Sequence, residues 1–257
     1  MAASHLLTPA LIARSVDYGE ADRILTLLTE TGGKISALAR GARRSRKRFG
    51  AALSLFVLGR AELVAPRREG ALWRLERFEA MEDLGGRISV DLGRVTHGSY
   101  ILEVTRELWP SEAHEPAIFG LVIEALRAVA ATSPSPSLLR SFELGLLKEI
   151  GLAPSFDRCV DCGAVISDDA PGPFGFSATS GGIICGGCGA HGWPLTAATR
   201  REAKVLTSMP PLDAAERQPD LAVARALREM LMLLIRHHVG RELHAWQFLS
   251  QMAGDGG

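Results

Sequence analysis

The chain has 257 residues, 47% of them apolar and 23% charged, and its 29 basic side chains balance 29 acidic ones. That balance excludes a mainly disordered chain, and the length admits one large domain or two to three small ones. The longest wholly apolar run, Met230 to Ile235, falls far short of the ~20 residues of a membrane-spanning helix. The first residues lack the basic cluster and long apolar block of a secretory signal, so the sequence reads as soluble and cytoplasmic, with no membrane partner.

Residues 1–80 read as short strands. Residues 10–15 and 23–29 are apolar and extended in character, and Thr31-Gly32-Gly33-Lys34 turns the second into residues 35–39 as a hairpin. A basic stretch follows and ends at Phe49-Gly50. Residues 53–65 are rich in Leu, Val and Phe. After the turn Pro66-Arg67-Arg68-Glu69-Gly70, the positions Trp73, Leu75 and Phe78 lie among charged neighbours at close to period two. About five strands in ~80 residues suit a small barrel better than an open sheet.

Neutrality overall hides an asymmetry. Residues 1–80 carry 14 Lys/Arg against 8 Asp/Glu, and the remainder 15 against 21. The 31 residues between Glu30 and Glu62 contain eight bases and no acid. Six of those bases, Arg40, Arg43, Arg44, Arg46, Lys47 and Arg48, fall within nine residues. Like charges this close repel, so the segment is expected to be a solvated loop between two barrel strands. A loop with no partner is the plainer alternative. The crowding without compensating acid favours a polyanion, because every neutralised phosphate releases condensed counterions. Tyr18, Phe49, Phe56 and Trp73 are candidates for base stacking and equally for the core.

From Leu84 the pattern turns helical, with apolar residues at helical spacing over 95–109 and 116–131. Ser133-Pro134-Ser135-Pro136-Ser137 is a break, and Ser137 is the expected cap of a helix that stops at Gly151. Residues 155–194 are rich in Gly, Asp and Cys and lose the helical period. Helices resume at 196–207 and over about 220–252, the last with a break expected at Gly240.

All four cysteines occur as two pairs, Cys159-x-x-Cys162 and Cys185-x-x-Cys188, separated by 22 residues. Zinc takes four tetrahedral ligands, and two intervening residues let a tight turn aim both thiolates at one point. Gly163, Gly186, Gly187 and Gly189 supply the turn conformations. A closed four-thiolate shell leaves no position for water, so the expected cofactor is one structural Zn²⁺ per chain. Redox chemistry would want a βαβ setting that the sequence lacks, and disulfides fit a cytoplasmic protein poorly. A spare role for His191 and a carboxylate cluster of Asp157, Asp161, Asp168 and Asp169 are weaker readings than a hydrated loop. His237 and His238 read as helix-surface or packing residues. No Walker A, His-Glu-x-x-His or nucleophile-elbow pattern occurs, so no catalytic residue is assigned and the chain reads as a non-enzyme.

Together these features resemble the bacterial recombination mediator RecO family. The resemblance is carried by Tyr18-x-Glu20-x-Asp22-Arg23-Ile24-Leu25-Thr26, by Thr29-x-x-x-Gly33-Lys34 and Arg40-Gly41-Ala42-Arg43-Arg44, and by the cysteine pairs. The closing Leu243-His244-Ala245-Trp246-Gln247-Phe248-Leu249 carries it further. It implies an α+β multidomain fold: an N-terminal OB-fold barrel over 1–82 and a helical domain over 83–154 and 195–257, with a zinc-finger-like insertion at 155–194. It implies binding of single- and double-stranded DNA and annealing of complementary strands without nucleotide hydrolysis. The implied partners are RecR, the C-terminal tail of the single-stranded-DNA-binding protein and, indirectly, RecA, at a nucleoid-associated location. By segment, the implied DNA contacts are Lys34, Arg40, Arg43, Arg44, Arg46, Lys47 and Arg48. An RNA-binding or transcription-associated barrel with a zinc ribbon shares these features, and a metal- or thiol-dependent enzyme is the rival from another class.

Overall fold

The computed structural model describes residues 4–45, 49, 53–68, 70–110, 114–246 and 249. The chain divides into two units, residues 1–131 and 132–257.

In the first unit five strands, β1 (His5–Tyr18), β2 (Asp22–Thr29), β3 (Gly33–Ala39), β4 (Val57–Val64) and β5 (Trp73–Asp83), close into a barrel of order β1-β2-β3-β5-β4. All pairings are antiparallel except β3 with β5, the connectivity of an OB-fold. β1 is longer than the apolar run at 10–15 because it serves two neighbours. Its first half pairs with β4 and its second with β2, and a bulge between Ile12 and Arg14 bends it from one to the other. β4 starts at Val57 rather than at Leu53. Phe56 adopts φ 67°, which no ladder residue can hold, and Leu53 is buried in the core instead.

Inward-facing Ile12, Leu25, Leu27, Ile35, Leu63, Leu75 and Phe78 fill the barrel with Phe49. Of the four aromatic candidates, Phe49 and Phe56 are therefore buried, and Trp73 packs half-buried against the same core. Tyr18 alone of the four stands out in solvent, 56% exposed.

After the barrel strands, the described residues form α1 (Gly85–Ile88), α2 (Leu92–Leu108) and α3 (Pro116–Ala131). α2 begins before the periodicity suggests because the Asp91 carboxylate accepts the Arg94 N–H and caps it. Its last turn is bonded to the barrel, as Arg106 donates to the Ala13 carbonyl at 2.9 Å.

The second unit holds α4 (Pro136–Glu149), α5 (Ala197–Thr207), α6 (Pro211–Ala214) and α7 (Leu221–Val239). Between α4 and α5 lies a small sheet of β6 (Phe174–Ser177), β7 (Gly182–Ile184) and β8 (Trp193–Leu195), in order β7-β6-β8. The cap of α4 is Ser135, not Ser137. Pro136 takes the first helical position, where its missing N–H costs nothing, and the Ser137 hydroxyl is spent on the Arg217 carbonyl. α4 ends before Gly151, and α7 ends at Gly240, both glycines left-handed, with helix resuming at His244. Among the described residues no helix is long and apolar enough to cross a membrane.

Candidate nucleic-acid interface and metal centre

The basic stretch leaves the barrel at the end of β3. Its first part is fastened to the turn between β1 and β2. The Asp22 carboxylate accepts the Gly41 N–H at 2.8 Å, and the Arg43 N–H donates to the Ala21 carbonyl at 3.0 Å. Gly41 has φ +65°, and its carbonyl accepts the N–H groups of both Arg44 and Ser45. This tight turn brings together the two sequence motifs, Glu20-x-Asp22-Arg23 and Arg40-Gly41-Ala42-Arg43-Arg44. Arg40, Arg43 and Arg44 all reach solvent from it. Arg46, Lys47 and Arg48 lie outside the described residues.

The compensating charge is sparse and loosely held. Arg43 lies 3.9 Å from Asp17 and Arg44 3.8 Å from Glu20. Both separations exceed a hydrogen bond, and the groups are exposed, so each pair contributes little. Lys34 is placed differently. Its half-buried ammonium donates at 2.5 Å to the carbonyl of Arg106, in the last turn of α2, where a cation suits the helix dipole. Burial holds its pKa below the usual lysine range; Glu107 opposes this and Arg106 adds to it.

Beside the basic turn lies a groove lined by Val16, Asp17, Arg23, Leu53 and Leu55. Arg23 donates to Asp17 at 3.1 Å and to the Leu53 carbonyl at 3.1 Å. Val16 and Leu55 expose apolar surface there. Arg23 belongs to the motif that begins at Tyr18, and its place at the site emerges only from the fold. The available signal was an arginine directly after Asp22 at the head of an apolar strand.

In the second unit the four cysteines converge. Their sulfurs lie within 4.8 Å of one another, with Cys159–Cys188 at 3.9 Å and Cys162–Cys185 at 3.8 Å. Tetrahedral bonds of ~2.3 Å impose sulfur separations of about 3.8 Å, so the donor set fits a tetrahedral thiophilic cation. Each pair sits on a turn closed by a left-handed glycine, Gly163 after the first and Gly189 after the second. The sheet brings the turns together. A Cβ on Gly175 of β6 would lie 1.7 Å from the His191 carbonyl, so only glycine lets the second turn cross that strand.

As bare thiols, Cys159 and Cys188 are driven in opposite directions. Burial opposes ionisation of Cys159, yet N–H groups of Cys185, Cys162 and Asp161 outweigh it and bring the thiol down to about 6. Hydrogen bonding with Cys162 and Cys185, then burial and Cys159 itself, push Cys188 up to about 12. A divalent cation removes that conflict by compensating all four thiolates.

The knuckles are anchored to α5 by Arg200, whose side chain is fully buried. It donates to the carbonyls of Phe156, Ile166 and Ser167 at 2.7, 2.8 and 2.7 Å and lies over the Phe174 ring. Three of the four nearby aspartates are not merely hydrated. Asp157 and Asp168 both pair with Lys204, and Asp161 bonds His191 at 2.8 Å across the two turns. His237 and His238 are exposed at the end of α7.

Comparison with known proteins gives one answer for both units. The family model described as recombination protein O, N terminal, matches residues 1–83, and that described as recombination protein O, C terminal, matches residues 89–247. The chain is 42% identical over 246 residues to the DNA repair protein RecO of Anaeromyxobacter dehalogenans strain 2CP-C, covering 94% of each chain. It is 35% identical over 248 residues to that of Myxococcus xanthus strain DK1622, covering 96% of this chain and 97% of the other. To that of Pelobacter propionicus it is 32% identical over 252 residues, 96% of each.

Proposed function

We propose that this chain, which belongs to the recombination protein O family of DNA repair proteins, binds single- and double-stranded DNA through its basic turn and pairs complementary strands. The observation that carries this reading is the double fastening of the turn, Asp22 to Gly41 and Arg43 to Ala21, which holds Arg40, Arg43 and Arg44 outward on a rigid barrel. Two strands repel through their phosphates. Fixed cations screen that repulsion without reorganising, and base pairing supplies the driving energy, so no hydrolysis and no catalytic residue are required. Arg46, Lys47 and Arg48 extend the cationic run in sequence. Lys34 adds charge at its edge while its ammonium serves α2. Tyr18, and Val16 and Leu55 in the groove beside Arg23, offer stacking and packing surface for bases.

The four cysteines hold one structural Zn²⁺, through Cys159, Cys162, Cys185 and Cys188. The ion supplies a cross-link between the two turns and no reactive position. Family membership supports RecR, the tail of the single-stranded-DNA-binding protein and, through them, RecA as partners, in a cytoplasmic, nucleoid-associated setting.

The test is a salt titration of oligonucleotide binding. With all six cations of the run on phosphates, log K against log[salt] falls with a slope of up to about −4 for single strands. Arg43→Ala with Arg44→Ala reduces that slope by about 1.4, weakens all DNA sequences alike and slows strand annealing. A slope near zero, or a loss confined to one sequence, overturns the reading; tighter binding to the matching RNA redirects it to an RNA-binding barrel.

A further inference from the structure

We infer that Asp17 and Glu20 are built-in competitors of phosphate at the basic turn, lowering its affinity for DNA; this deepens the reading above and rests on it. The turn's acids come from the neighbouring β1–β2 hairpin, not from its own segment, which has none. Each reaches one arginine of the turn at a distance too long for a hydrogen bond, Asp17 to Arg43 at 3.9 Å and Glu20 to Arg44 at 3.8 Å, while the Arg43 guanidinium also donates to the exposed Glu20 carbonyl at 3.5 Å. Surface pairs of this kind are worth little, so an arriving phosphate displaces them at small cost.

The arrangement also leaves nothing stranded after the exchange. Asp17 keeps Arg23 at 3.1 Å when Arg43 turns away. Glu20, 94% exposed, returns to water. The backbone does not need to move, because Asp22 still holds the Gly41 N–H and Ala21 still holds that of Arg43. The carboxylates thus occupy the guanidinium groups in the absence of DNA and yield them in its presence. Affinity is moderated while the scaffold stays fixed, which suits a protein whose strands must be passed on.

Binding of a single-stranded oligonucleotide to the full-length protein at low salt tests this. Glu20→Gln is expected to tighten binding about two- to fivefold, and Asp17→Asn with Glu20→Gln roughly 3- to 20-fold, the gain shrinking as salt rises. Glu79→Gln makes the same change in net charge from an exposed position on β5 opposite Arg60 and is expected to have the smaller effect. Unchanged or weaker binding in Glu20→Gln, or an equal gain in Glu79→Gln, overturns the inference. Because Glu20 is almost wholly in solvent, its substitution tests the idea without threatening the fold. Arg43→Ala with Arg44→Ala separates the two levels. If that variant weakens binding and the acid variants change nothing, only the competition fails; if it too binds like the wild type, the DNA reading fails with it.

Discussion

Arginine does opposite work in the two units. At the basic turn, Arg43 and Arg44 stand in solvent with carboxylate partners 3.8–3.9 Å away and one long bond from Arg43 to the Glu20 carbonyl at 3.5 Å, and what holds them in place is the backbone beneath them. Under the metal knuckles, Arg200 is fully buried and spends its guanidinium on three main-chain carbonyls. An exposed, weakly paired guanidinium is free to change partners. A buried one that is fully bonded is a structural rivet, since removing it takes the arginine donor from the Phe156 and Ile166 carbonyls and leaves Ser167 only the Ala170 N–H. Charge alone therefore says little about role; the solvation of the charge and the rigidity of what carries it decide.

The contrast makes three predictions, the largest on the metal side. Cys159→Ser is expected to lose the metal on dialysis against a chelator and to strip hydrogen-exchange protection from residues 155–195, while β1–β5 keep theirs. About 10 kcal/mol or more of metal-linked folding energy is at stake at such a site. Finding no metal in the purified wild-type chain, or unchanged exchange in the variant, breaks this side of the comparison. Next is the rivet. Arg200→Ala is expected to cost about 3–5 kcal/mol in denaturant unfolding, and Arg200→Lys to restore little, because an ammonium cannot span three carbonyls held in a fork. Full rescue by lysine would reduce Arg200 to a point charge. The smallest effect belongs to the basic turn: Arg43→Ala with Arg44→Ala is expected to shift stability by no more than about 0.5 kcal/mol. A larger loss in the same unfolding experiment would make these arginines structural and erase the difference between the units.

Much of this was legible in the chain. The paired cysteines with glycines beside them pointed to their turns, because two-residue spacing and left-handed glycine are local geometry. Alternation around Trp73 and Phe78, and the Gly-Gly turn before β3, marked strands for the same reason. The misreadings arose where distant residues intervene. Ser137 has the right chemistry for a cap, but Pro136 shifted the helix start and Arg217 claimed the hydroxyl. Leu53 looked like strand and became core because Phe56 turns the chain out of the ladder. The aspartates near the knuckles looked hydrated until α5 brought Lys204 to two of them.

Short-range chemistry written into the residues was enough to specify a small barrel, a helical body, a four-thiolate centre and a concentration of positive charge. Which cations face outward was settled only by folding. Lys34 and Arg106 meet across 72 positions, Asp22 and Gly41 across 19, and Arg200 reaches back 44 residues to Phe156. Partnerships at such range depend on strand pairing and burial, which no local pattern encodes. They divide the chain's basic residues into those buried on main-chain carbonyls, such as Arg200, and those exposed to solvent, such as Arg44.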